Sequence, residues 1–230
     1  MSKNTPSTVS RSCRVLARLL DYPHAEMRAA LPELYTVLRE EAALSAARLS
    51  ELKALMGALQ QGDAYAVEAR YVESFDRGRA TSLHMFEHVH GDSRDRGPAL
   101  VDLAQTYEAG GMFFDASELP DYLPVVLEFA STQPPATACA FLGEMAHILN
   151  TIHSGLIKND NPYAAAIGAV LELAGEKPRS VQISADEPLD ESWVEPPAFD
   201  GCSSKGQSRP GAAQPIHIVK KNPMNQGVRP

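Results

Sequence analysis

The chain has 230 residues, 44% apolar and 22% charged. That is enough to bury a full core without disulfides or a structural metal, and it leaves wholesale disorder, collagen-like repeats and coiled coil as poor descriptions. Its 21 Lys and Arg against 29 Asp and Glu give a net charge of -8, which argues against a nucleic-acid backbone as the main ligand and toward a cationic partner.

Residues 1–12 are polar and contain no apolar h-region, and no stretch approaches the roughly 18 apolar residues a membrane span needs. Cytoplasmic location without stable membrane insertion is therefore expected. Cys13, Cys139 and Cys202 are odd in number, widely separated and without a CxxC pair, so no disulfide framework, zinc site or iron–sulfur site is indicated.

In chain order the first 175 residues read as helix after helix. Val15, Leu16, Leu19 and Leu20 predict a helix near 8–20, closed by the Asp21-Tyr22-Pro23 turn. Leu31, Leu34, Tyr35 and Leu38 continue the helical period past Pro32, and Leu49, Leu52, Leu55, Met56 and Leu59 supply the next apolar face. Asp63 suits the N-cap of a helix through Tyr71 and Phe75. Pro120 is expected to start a helix carrying Glu118 and Asp121 at its positive end, and Phe141, Met145, Ile148 and Ile152 are expected on one long central helix. Asn161 and Pro162 open the last helix and Gly175 closes it. Strand signals are almost absent. The expectation is an all-α single domain over 1–175, followed by a proline-rich tail over 176–230 that is irregular and partly disordered. In that tail the apolar pieces Trp193-Val194 and Ile216 to Val219 are the ones that would dock, if any do.

The charge divides along the same boundary. Residues 1–175 hold 14 basic and 22 acidic side chains, the tail seven of each. No Lys or Arg occurs between Arg96 and Lys158, whereas Asp102, Glu108, Asp115, Glu118, Asp121, Glu128 and Glu144 all do. Seven carboxylates without a basic neighbour in sequence build a negative surface.

Two segments are rich in polar chemistry. In Ser82 to Gly97, His84 and His88 share a helical face, with Glu87 or His90 as a further ligand. A metal-binding or sensor protein using His84, His88 and His90 is thus the alternative reading, although no HExxH or nearby cysteine accompanies them and packing roles account for such imidazoles. No GxSxG, P-loop, GxGxxG or Cys–His pairing suggests an enzyme. In Asp115 to Phe129, Pro124 follows Pro120 by four residues beside two apolar stripes, an unusual helix start that suits a groove for an apolar and basic peptide.

Tyr71-Val72-Glu73-Ser74-Phe75-Asp76, the run Ser82 to Gly97 and the run Glu118 to Phe129 together resemble the NarJ family, the delta-type assembly chaperones of respiratory nitrate reductase. Leu16 to Pro23 and the tail's Trp193 to Pro197 with Pro215 to Val219 are similar to it too. The resemblance implies a non-enzymatic, all-α chaperone without a cofactor of its own. Such a protein binds the N-terminal segment of the catalytic (alpha) subunit and keeps it competent for insertion of molybdenum cofactor and iron–sulfur cluster before membrane docking. Molybdenum cofactor biosynthesis proteins are further partners it suggests. In the wider group the binding region reads Glu-Pro-x-Asp-His; here the matching stretch is Glu118-Leu119-Pro120-Asp121-Tyr122.

The peptide-binding residues expected on these grounds are Tyr71, Phe75, Asp76, Phe86, Glu87, His88, Glu118, Leu119, Pro120, Asp121, Tyr122, Leu123 and Leu127. Their apolar members would receive one face of a client helix, while Glu118, Asp121 and Asp76 would meet its basic side chains. Asp121 is expected at the surface, replaceable by Lys without unfolding.

Overall fold

A computed structural model describes residues 8–91, 93–113 and 118–182. The tail pieces at Trp193 and Ile216, and the carboxylates Asp92 and Asp115, lie outside these residues. Ten α-helices and no strand occur among the described residues, as the all-α expectation holds.

The first helix, α1 (Ser10–Leu20), is the hub. Seven of its eleven residues are buried, because Cys13, Val15, Leu16, Ala17, Leu19 and Leu20 recur around most of its circumference. Its N-terminal amides are satisfied from a distance: Glu41 accepts from the Arg11 backbone N–H at 3.0 Å and from the Thr8 hydroxyl at 2.9 Å. Next come α2 (Ala25–Glu41), which runs uninterrupted through Pro32, and α3 (Ala46–Gln61), capped by Ser45. Asp63 caps α4 (Ala64–Phe75) as expected, its Oδ2 accepting from the Ala66 N–H at 3.1 Å.

A short 3-10 turn (Arg79–Thr81) leads to the single-turn α5 (Glu87–His90) and then α6 (Arg96–Ala109). Next, α7 (Leu123–Thr132) lies along α1 with eight of ten residues buried. It begins three residues later than Pro120 suggests. Pro124, at its second position, is the helix-starting proline, since an amide there has no intrahelical acceptor to lose. Pro120 belongs to the turn before it.

The expected long central helix is two helices, α8 (Pro135–Glu144) and α9 (Ala146–Lys158). At Met145 the spiral tightens, its N–H reaching Leu142 O at 3.2 Å, and the apolar stripe resumes on the other side. Periodicity cannot register a break one residue long. Finally α10 (Ala164–Leu173), buried on eight of ten positions, packs against α9, α3 and α1. Gly175, at φ 72°, closes it: its N–H bonds Glu172 O and the Glu176 N–H bonds Leu171 O, both at 2.9 Å.

Candidate functional site

The two polar segments are stitched together. The Met85 N–H donates to Asp121 O and the Leu123 N–H to Leu83 O, both at 2.9 Å, so His84 and Tyr122 sit opposite each other in an isolated antiparallel bridge. Their rings stack at 5.3 Å with a 31° tilt. The Tyr122 hydroxyl meets that of Tyr71 at 3.0 Å, and Tyr71 donates to Leu20 O at 2.9 Å. Tyr71 also stacks edge-on with Tyr22, Phe75 and Tyr163.

Asp121 corrects an expectation. Its side chain is 0% exposed rather than at the surface. Oδ2 accepts from the Phe86 N–H at 3.0 Å and from Arg96 Nη2 at 3.5 Å, and Oδ1 lies 3.5 Å from His84 Nδ1. Burial pushes the carboxyl up, but His84, the Phe86 amide and Arg96 together hold it below the usual carboxylate range. The same contact raises His84. Arg96 also pairs with Glu87 at 3.4 Å.

The other expected residues separate by depth. Tyr71, Phe75, Pro120, Leu123 and Leu127 are buried and belong to the framework, not to an open surface. Phe86, Glu87, His88 and Tyr122 are half-buried, while Asp76, Glu118 and Leu119, the last 43% exposed, face solvent. Burial and the charges of Asp21, Glu118 and Asp76 around it push the Tyr122 phenol up to about 12. Asp76 and Glu118 are exposed and Asp21 is half-buried, and all three add negative potential around the Tyr122 phenol.

The histidines are engaged within the fold. His88 donates from Nε2 to Ser82 O at 2.9 Å and burial lowers its pKa; His90 packs edge-on against Phe86 at 5.6 Å. No three His, Cys, Asp or Glu side chains converge on a metal-sized point among the described residues. Nor is any helix there long and apolar enough to cross a membrane.

Phe86 leads to the feature that the sequence reading missed. Beside it opens an apolar groove of about 620 Å³, walled by Val89 and Leu103 on one side and Phe141, Met145 and Ile148 on the other. Val89 is 55% exposed. Asp102 and Glu144 stand on its margins. Phe141, Met145 and Ile148 read in sequence only as helix interior; the signal that located this region was the 61-residue absence of Lys and Arg after Arg96. A larger concavity of about 830 Å³ is polar and mixed in sign, with Arg70, Arg77 and Lys158 beside Glu73 and Asp160 at the C-terminal ends of α4 and α9. Lys158, in the last turn of α9, offsets that helix's dipole.

Residues 21–167 match the family model described as nitrate reductase delta subunit. The chain is 36% identical over 189 residues to the nitrate reductase molybdenum cofactor assembly chaperone NarJ of Escherichia coli K12, covering 81% of this chain and 79% of that protein. It is 43% identical over 138 residues to the probable assembly chaperone NarW of the same organism, covering 56% and 60%. It is 33% identical over 159 residues to the probable chaperone NarJ of Bacillus subtilis 168, covering 68% and 84%.

Proposed function

Because the chain belongs to the nitrate reductase delta subunit family, we propose that it is an assembly chaperone of respiratory nitrate reductase that binds the N-terminal segment of the catalytic subunit. The three relatives compared above are named as assembly chaperones, and the chain is not an enzyme. In this reading it acts in the cytoplasm and keeps the subunit competent for molybdenum cofactor and iron–sulfur insertion.

The observation that carries the peptide-binding reading is the apolar groove with carboxylates at its margins, in a stretch free of Lys and Arg. An amphipathic helix with basic flanks matches both properties. Its apolar face lies on Phe86, Val89, Leu103, Phe141 and Met145, and its cations meet Asp102 and Glu144. Apolar burial supplies most of the affinity at roughly 25 cal/mol per Å², less the cost of ordering the peptide. Asp76, Glu118 and Asp21 add negative potential that speeds encounter.

Calorimetric titration of the full chain with a synthetic peptide of the catalytic subunit's N-terminus tests this. One-to-one binding with a negative heat-capacity change is expected. No heat and no competition by unlabelled peptide in a fluorescence assay would remove the N-terminal segment as the client site.

A further inference from the structure

Helix α6 is attached to the bundle unlike its neighbours. Of its fourteen residues only Leu103 and Tyr107 are buried, against eight of ten in both α7 and α10. Those two residues pack with Val125 and Phe129 in a small apolar cluster apart from the main core. Polar attachments stand at both ends. Arg96 reaches Glu87 at 3.4 Å and Asp121 at 3.5 Å at the start. The Tyr107 hydroxyl donates to Pro120 O at 2.7 Å, and Gln133 Nε2 donates to Gly110 O at 3.2 Å, at the finish.

The two ends are not equivalent. At the finish, Gly110 fits so closely against Phe129 that an added Cβ would lie 2.5 Å from the ring, and Gly111 follows at φ 86°, a conformation glycine adopts freely. That end is a packed pivot. At the start, the contacts are long: Arg96 Nη1 lies 3.4 Å from Glu87 and Nη2 3.5 Å from Asp121 Oδ2, and the buried Arg96 Nε has no hydrogen-bond partner. Contacts of that length hold the start of α6 by charge rather than by well-formed hydrogen bonds, so Arg96 can part from Asp121 while His84 and the Phe86 amide stay on the carboxylate.

Between these ends α6 supplies one wall of the groove through Ala99, Asp102, Leu103 and Thr106. We propose that α6 is a movable wall, latched at Arg96 and pivoting about Tyr107 to Gly111, that swings aside to admit the client helix and closes over it. This rests on the reading that a basic amphipathic helix occupies the groove. An element with few buried contacts and end-on polar attachments belongs to the low-stability part of a fold, where binding elements are found.

Amide hydrogen exchange on the full chain decides it. In the free protein α6 amides are expected to exchange at least about tenfold faster than those of α7 through local opening. Arg96→Met is expected to accelerate α6 about tenfold further while leaving α7 and α10 unchanged, and Arg96→Lys to restore part of the protection. Equal protection of α6 and α7, or acceleration spread evenly over both, would overturn the movable wall. Peptide that binds and protects α6 supports the gate. Peptide that binds but protects only other helices overturns it. If the peptide does not bind at all, the chaperone reading fails, while the free-protein exchange still decides whether α6 opens.

Discussion

Asp121 Oδ2 accepts the backbone N–H of Phe86 at 3.0 Å across 35 positions of sequence, and through this bond a buried carboxylate holds in place the aromatic ring that leads into the groove. The same carboxylate faces His84 and Arg96. One side chain thereby ties the 82–90 segment to the turn into α7 and offers Arg96, at the start of α6, its latch.

Asp121→Ala is expected to lower unfolding free energy by about 3 kcal/mol, since it strands the part-buried Phe86 amide, Arg96 and the His84 ring. Asp121→Lys is expected not to accumulate as folded protein, contrary to the surface role the sequence suggested. Denaturant titration of the Ala variant and the soluble yield of the Lys variant check both. A fully folded Asp121→Lys chain would contradict the buried geometry.

The His84–Asp121 pair makes stability depend on pH with a defined sign. The folded-state pKa of His84 is raised, so its contribution is complete below the ordinary histidine value of about 6.5 and is lost as pH rises through the higher folded value. Asp121 is lowered, so its contribution is present above the ordinary carboxylate value and disappears as pH falls through the folded one. His88 and His153 are lowered by burial and act in the opposite sense to His84. The measurable quantity is therefore a difference. The stability advantage of wild type over His84→Gln should be larger at pH 5.5 than at pH 8.5, chosen to bracket about 6.5. An advantage that grows with pH would place the proton elsewhere.

At the groove margins Asp102 and Glu144 are expected to act mainly on encounter. Asp102→Lys and Glu144→Lys should each weaken peptide binding roughly three- to tenfold, chiefly through the association rate, with the deficit shrinking at high salt. Val89→Asp, placed on the apolar wall, should instead raise the dissociation rate and respond little to salt. Stopped-flow kinetics at two ionic strengths separates the two behaviours.

Two glycines give opposite expectations for the same substitution. Gly110→Ala drives a methyl into the Phe129 ring and should cost about 1–2 kcal/mol. Gly168→Ala meets the end of the flexible Arg48 side chain and adds helix propensity inside α10, so it should be near neutral. Thermal melts of both variants provide the comparison, and a larger loss at Gly168 would show that Arg48 cannot move.

The helices were legible because their signals are local. The Asp63 cap and the Gly175 stop each depend on a few adjacent residues, and both occur where the sequence placed them. Pro120 is ambiguous in sequence because two prolines four apart both satisfy the rule for a first turn, and only the bridge to residues 83–85 decides that Pro120 is in the turn. The site was half legible. Asp76, Glu118, Leu119 and Phe86 are accessible, but Asp121 sits in a run of alternating polar and apolar residues whose inward side is set by Phe86 and Arg96, far away in sequence. Leu103, Phe141 and Met145 carry no mark distinguishing a groove wall from a core, because that difference is created by what fails to pack against them.

The placement of α1 has a consequence for how the protein is made. Its principal partner α7 ends at residue 132, and the Ser10 hydroxyl bonds Ser131 O across 121 positions. During synthesis α1 therefore emerges with seven residues that need burial long before the α7 surface that covers them exists, and α2 can shield only part of it. Closure waits for α10, which is complete only at Leu173. Contacts this distant along the chain slow folding and expose apolar surface meanwhile. Nascent chains halted before Leu173 should aggregate, so a protein that shelters an unfinished client passes through the same vulnerable state itself.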